Sequence, residues 1–217
     1  MSRDDEWPGR QLRTSRMEAF SDGVFAIAIT LLVLEITVPT DSEGNLLRAV
    51  LAQWPSYLAY VVSFATVGAI WLAHTAMSEF LDHTDVWLMR INLLLLLLVS
   101  FLPFPSRLLA ESFGHSDDGK TASTVYGLTL LGAALVMSAL WRHALSRNLV
   151  RADAGGEELL ALTRKLTPGL AGYIAMIALG LFLPVVAVAG YLVIAVFYIL
   201  PIHRLRRSGR PVGTAER

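Results

Sequence analysis

Across 38 consecutive positions, residues 166–203 carry no Asp, Glu, Lys or Arg, which is more than one membrane crossing needs. As a single helix the run would be about 57 Å long, against a hydrocarbon core of about 30 Å, so it reads as two spans. Pro184 in LGLFLPVVAVAG marks the corner between them, because proline lacks a backbone donor and disfavours helix in the residue before it. With the apolar blocks near 20–38, 53–73, 87–106 and 121–141, the pair at 168–184 and 186–203 makes six. The expected fold is an all-α membrane protein with six transmembrane helices in one domain over 1–217. Residues 1–15 form a polar N-terminus and 204–217 a basic C-tail.

At 54% hydrophobic and 17% charged, the chain is too unevenly apolar for an ordinary soluble domain. Lys plus Arg and Asp plus Glu both number 18, which gives no case for nucleic-acid binding. The absence of cysteine excludes disulfides and thiolate metal sites. The first apolar run ends in EITVPTDSEG rather than at a small-residue cleavage site, so it reads as a retained span and not as a signal peptide. With six spans, 15 of the 18 Lys and Arg residues fall on the side of the two termini; only Arg48, Arg107 and Lys120 fall on the other. Basic connections favour the cytoplasm, which places both termini there. Asp41, Glu43, Glu111, Asp117 and Asp118 then give the outer connections a mildly acidic character.

Within the first block, RMEAFSDGVFAIAITLLVLEI over residues 16–36 has Asp22 near its start and Glu35 near its end. Intramembrane carboxylates are costly and face a bundle interior or a water-filled path. At about 100° per residue, Phe20, Ile27, Leu31 and Leu34 fall within about 60° of one another, with Thr30 beside them. Glu18 and Asp22 lie about 140–180° from that row, so the helix has two surfaces with different tasks. The Asp22 side is expected to find polar partners in a buried network, with Trp71 and His74 on the second span and Asn92 on the third at matching depth. Val33, about 120° from Ile27, is expected on a packing face. On periodicity alone the apolar row fits core, lipid or lumen.

The RMEAFSDG opening, an Arg-x-x-x-Phe-Ser-Asp pattern, resembles the signature of the lysosomal potassium channel family (the transmembrane protein 175 type) and its bacterial relatives. The likeness continues in IWLAH at 70–74 and NLLLLLLVSFLPFPS at 92–106, covering the first three helices well and the rest only by hydropathy. The resemblance implies a potassium-selective cation channel in a bacterial plasma membrane, with no TVGYG-type filter and with potassium ion as the permeant in place of any cofactor. It implies a pore lined by first helices, with Ile27 as the constriction, Leu31 and Leu34 continuing the row, and Thr30 as a polar pore-facing position. Arg16, Phe20, Ser21 and Asp22 match the signature that ties the first helix to its neighbours; Trp71, His74 and Asn92 are the implied polar partners. One lining helix cannot enclose a pore, so a single six-helix unit implies a homotetramer in the lipid bilayer.

Two alternatives belong beside that reading. A secondary transporter would show inverted repeats with broken helices, and no second copy of the signature is present. A non-conducting membrane-packing subunit needs only the hydropathy. For an enzyme or metal site, the one cluster is His74, Asp82, His83 and Asp85 in AHTAMSEFLDHTDVW, which has the character of an ordinary turn.

Overall fold

The computed structural model describes residues 14–37, 46–112, 116–166 and 168–200, and all regular structure among them is helical apart from isolated bridge positions at Leu81, Thr84 and Val150. The expected N-terminal and C-tail segments, apart from Thr14 and Ser15, lie outside the described residues, as do Asp41 and Glu43. In chain order the helices are α1 (Thr14–Leu32, prolonged by a 3₁₀ turn Val33–Glu35), α2 (Leu46–Ala52), α3 (Trp54–Ser78), α4 (Val86–Phe101) and α5 (Pro103–Ser112). They continue with α6 (Ser116–Ser146), α7 (Gly156–Leu166), α8 (Pro168–Gly180) and α9 (Pro184–Ile199). Four stretches are long and apolar enough to cross a membrane: Thr14–Glu35, Trp54–Ser78, Val86–Ser112 and Asp117–Ser146.

Local chemistry sets the boundaries. Asp85 caps α4, its Oδ1 accepting from the Leu88 amide at 2.6 Å from an extended backbone conformation. The third stretch is broken after Phe101, because Pro103 and Pro105 cannot donate to the helical ladder; Leu102 N–H still reaches the Val99 carbonyl and the chain resumes as α5. Asn148 ends α6 at φ 52°. Its N–H donates to the Leu145 carbonyl and that of Leu149 to the Ala144 carbonyl, the paired closure of a left-handed helix stop. That stop aims the chain back at the α3–α4 connection, where Asp82 N–H donates to the Leu149 carbonyl and Arg151 N–H to the Phe80 carbonyl, both at 2.9 Å. Pro184 opens α9 after the turn at 181–183, so the charge-free run does fold back there.

α1 packs on α3 and α4, α3 packs most extensively on α9, and α6 packs on α4, α5 and α8. We call the end of the bundle at which α1 begins the near end. α3, α6 and α9 finish there and α4 and α8 begin there, as the Ser21–Asn92–His74, Asp85–His143 and Tyr198–Gly169 proximities require. The second half of the bundle closes by tyrosine on glycine. Tyr191, fully buried, donates to the Ser123 carbonyl at 3.2 Å and lies so close over Gly127 that a Cβ there would overlap its hydroxyl.

Candidate functional site

The buried face of α1 is Met17, Ser21, Phe25, Ala28 and Leu32, a three-and-four spacing that turns toward α3 and α4. Phe25, 1% exposed, lies 5.7 Å from the His74 ring. Beside it runs a chain of buried polar groups. Ser21 Oγ donates to the Met17 carbonyl at 2.8 Å and accepts from Asn92 Nδ2 at 2.9 Å. Asn92 Oδ1 lies 2.9 Å from His74 Nε2. An amide oxygen can only accept, so with Asn92 placed this way the proton of His74 sits on Nε2. Every member is satisfied by the next, which pins three helices in one register.

Asp22 does not belong to that chain. It is exposed on the isolated protomer and accepts from Trp71 Nε1 at 2.9 Å, an exposed contact between α1 and α3. Ser21 and Asp22 are adjacent, and the roughly 100° of helix turn between them sends one inward and the other outward. The single buried network expected around the carboxylate is therefore two contacts: a buried Ser21–Asn92–His74 chain and an outer Asp22–Trp71 pair. Arg16 is exposed.

The opposite face of α1 has no cover among the described residues. Ile27 is 61% and Leu34 68% exposed, and Phe20 and Leu31 are exposed with them. Thr30 is exposed too, and its hydroxyl donates to the Ile27 carbonyl at 2.8 Å. Val33 is half exposed rather than packed, because helical phase puts it beside the exposed Asp22 and Ala26 and away from the buried face of α1. At the far end Glu35 approaches Arg107 of α5 at 3.9 Å, while Arg107 bonds Glu111 at 2.7 Å.

Sequence reasoning missed one polar cluster and the partners of a second. The first joins hydroxyls of α3, α5 and α6: Ser106 Oγ lies 2.6 Å from Ser63 Oγ, which is 3.2 Å from Tyr126 Oη, and Tyr126 in turn reaches Thr66 Oγ1 at 3.3 Å. Serines and threonines in apolar runs carry no sequence mark of which helix they will meet. The second concerns the histidine and acidic cluster of the α3–α4 connection. Its side chains take separate partners: His74 binds Asn92, Asp82 binds His83, and Asp85 binds His143 of α6 at 2.9 Å. Burial works to raise the Asp85 carboxyl, but the Leu88 amide, the His143 hydrogen bond and charge, and the Arg147 charge outweigh it and hold it below the usual carboxylate range.

A bundle with four helical stretches long and apolar enough to cross a membrane, pinned by internal polar contacts, is an integral membrane protein. A model of the family described as the endosomal/lysosomal potassium channel TMEM175 matches residues 16–103. A potassium channel of Chamaesiphon minutus is 40% identical over 194 residues, 88% of this chain and 95% of that protein. The chain belongs to the TMEM175 family, whose members are channels and not enzymes. A potassium channel of Streptomyces collinus is 47% identical over 131 residues, 60% of this chain and 64% of that one. The Gallus gallus endosomal/lysosomal proton channel TMEM175 is 34% identical over 143 residues, only 28% of its length. Among solved structures, the crystal structure of a lysosomal potassium-selective channel TMEM175 homolog from Chamaesiphon minutus superposes with a TM-score of 0.78 at 39% identity. It covers 86% of this chain and 96% of that one.

Proposed function

We propose that the protein is a potassium-selective cation channel formed by four copies, each contributing six spans and lining the pore with α1. The observation that carries this reading is the uncovered row Phe20, Ile27, Leu31 and Leu34 on a helix whose other face is fully packed. Four such rows meeting on an axis give a hydrocarbon constriction at Ile27, continued by Leu31 and Leu34. The α8–α9 hairpin about the 181–183 turn supplies the fifth and sixth crossings. With both termini cytoplasmic, the near end faces the cytoplasm of a bacterial plasma membrane, in keeping with the distribution of Lys and Arg. Ser21, Asp22, Trp71, His74 and Asn92 tie α1 to its neighbours and set its rotation, whereas Arg16 and Phe20 of the signature are exposed on the protomer. Thr30 donates inward to the Ile27 carbonyl, which leaves its oxygen lone pairs to face a passing cation.

Hydrocarbon offers an ion no replacement for its hydration shell, so conduction requires the ring to widen and wet, and closure is dewetting. Ile27→Asn puts four amides where four apolar side chains excluded water. In liposomes this variant should raise basal flux and lower potassium-over-sodium preference, read from bi-ionic reversal potentials. Unchanged selectivity in a well-folded variant places the filter elsewhere. Saturable exchange coupled to a second ion would turn the assignment to a transporter. The proton is a second permeant worth testing, because the animal relatives are named proton channels; acidification of an entrapped pH dye without potassium decides it.

A further inference from the structure

Asp22 and Glu35, the two carboxylates of the first span, have different surroundings. Asp22 accepts from Trp71, whereas Glu35 closes the 3₁₀ turn at the far end, directly after Leu34, the last residue of the uncovered row. The Glu35 side chain is 29% exposed, and its Oε2 lies 3.9 Å from Arg107 Nε of α5, beyond hydrogen-bond length. Arg107 instead bonds Glu111 at 2.7 Å, one turn further along α5. One permanently charged guanidinium thus stands against two carboxylates, and negative charge at Glu35 is left only partly cancelled. We propose that Glu35 concentrates cations at the far-end entrance of the pore, and that Arg107 sets the strength of that attraction by screening its charge. This rests on the reading of α1 as the pore-lining helix of four copies.

The constriction itself creates the need. A ring of hydrocarbon holds no charge and prefers neither cations nor anions, so a preference for cations has to come from charged groups elsewhere on the path. At the near end the uncovered face of α1 carries Arg16, which repels cations, and Asp22 is turned off the row toward Trp71. Glu35 is the acid that follows the row at its other end. Neighbouring helices pack with axes about 8–10 Å apart, which puts each α1 axis about 6–7 Å from a four-fold axis and a carboxylate on its α5 side on the order of 10 Å away. That is too far to replace an ion's water and close enough to act through the field, because the screening length is about 10 Å at 0.1 M salt and about 30 Å at 0.01 M. The helix ends act in the same sense, since a helix C-terminus carries partial negative charge and four of them converge at this entrance.

Single-channel recordings of the purified full-length protein in planar bilayers, in symmetric potassium chloride at about 10 mM and about 1 M, test this. At the lower salt, Glu35→Gln should reduce the current in one direction roughly two- to fivefold and Arg107→Gln should raise it in that same direction; both should converge on wild type at the higher salt. Glu35→Asp keeps the charge while altering the contact, and should conduct like wild type. The Arg107–Glu111 bond is exposed and Glu35 is only loosely held, so all three variants should melt near the wild-type temperature. A strut that merely holds α1 in place gives a different pattern, in which Glu35→Asp fails together with Glu35→Gln at both salt concentrations. That pattern overturns the proposal, as does wild-type current in Glu35→Gln at about 10 mM. Ile27→Asn, recorded alongside, separates this inference from the pore reading. Altered potassium-over-sodium preference there, with unaltered current in Glu35→Gln, leaves the pore in place and removes the entrance role; a wild type that passes no cations overturns both.

Discussion

The α1–α3–α4 half and the α6–α8–α9 half of the bundle are held by different chemistry. In the first, a short polar chain through Ser21, Asn92 and His74 fixes the helices while α1 leaves an apolar row uncovered. In the second, α6, α8 and α9 close on one another through tyrosine rings seated on small residues, with Tyr126 and Tyr191 at 5.5 Å and Tyr191 against Gly127. Within lipid, apolar contact alone gives helices little preference for one another over the solvent, so specificity comes from polar pairs or from close backbone approach. The first half relies on polar pairs and the second on close approach, supplemented by the hydrogen bond from Tyr191 to the Ser123 carbonyl. If four copies assemble around α1 as proposed, the half that presents that surface is the one held by directional bonds, which fix the rotation of α1 about its own axis.

The largest test of that contrast is Gly127→Ala. The new Cβ would overlap the Tyr191 hydroxyl and crowd Ile177, and a fully buried tyrosine bonded to the Ser123 carbonyl has nowhere to retreat. A loss of about 3 kcal/mol is expected, read as a large fall in melting temperature in detergent. A variant that melts like wild type would show that the second half is loosely packed. Asn92→Ala comes next, at about 2 kcal/mol, because it leaves the His74 Nε2 donor buried and unpaired. Asp22→Ala should cost less than Asn92→Ala, since the Asp22–Trp71 contact is exposed. The reverse order would mean that assembly buries the Asp22 pair.

Asp85→Ala removes the α4 cap and the His143 partner together, for about 1 kcal/mol. The pH dependence has a definite sign. A carboxyl held lower in the folded protein than its ordinary value of 3.8 contributes stability above that value, and the contribution fades as pH falls through the folded pKa. Wild type should thus lose melting temperature more steeply than Asp85→Ala below about pH 4. Equal slopes would exclude Asp85 as a source of acid lability. Ile27→Asn should move stability least, by under about 0.5 kcal/mol, because the side chain is exposed on the protomer.

Much of the bundle was legible in hydropathy. The apolar blocks near 20–38, 53–73, 87–106 and 121–141 lie within or close to the four long stretches, because crossing lipid demands long apolar helices whatever they pack against. Helices α2 and α7 were not foreseen: seven and eleven residues carry too few turns for a periodic signal. Around the candidate site, helical phase separated Asp22 from Ile27 correctly but could not say which polar residue points inward. Ser21 and Asp22 are neighbours in sequence, and only packing against Asn92 makes the serine the buried one. The placement of Val33 failed because a position off the Ile27 row is not thereby a packed one: Val33 shares the exposed side of α1 with Asp22 and Ala26.

Because α1 starts and α9 stops at the same end of the bundle, two copies can be joined in tandem by a linker that never has to cross the membrane. Stoichiometry then becomes an experimental variable. In the four-copy pore proposed above, Ile27→Asn placed in one half of such a concatemer would put two altered side chains, rather than four, around the axis. The dose response of selectivity would report how many rows a single ion meets.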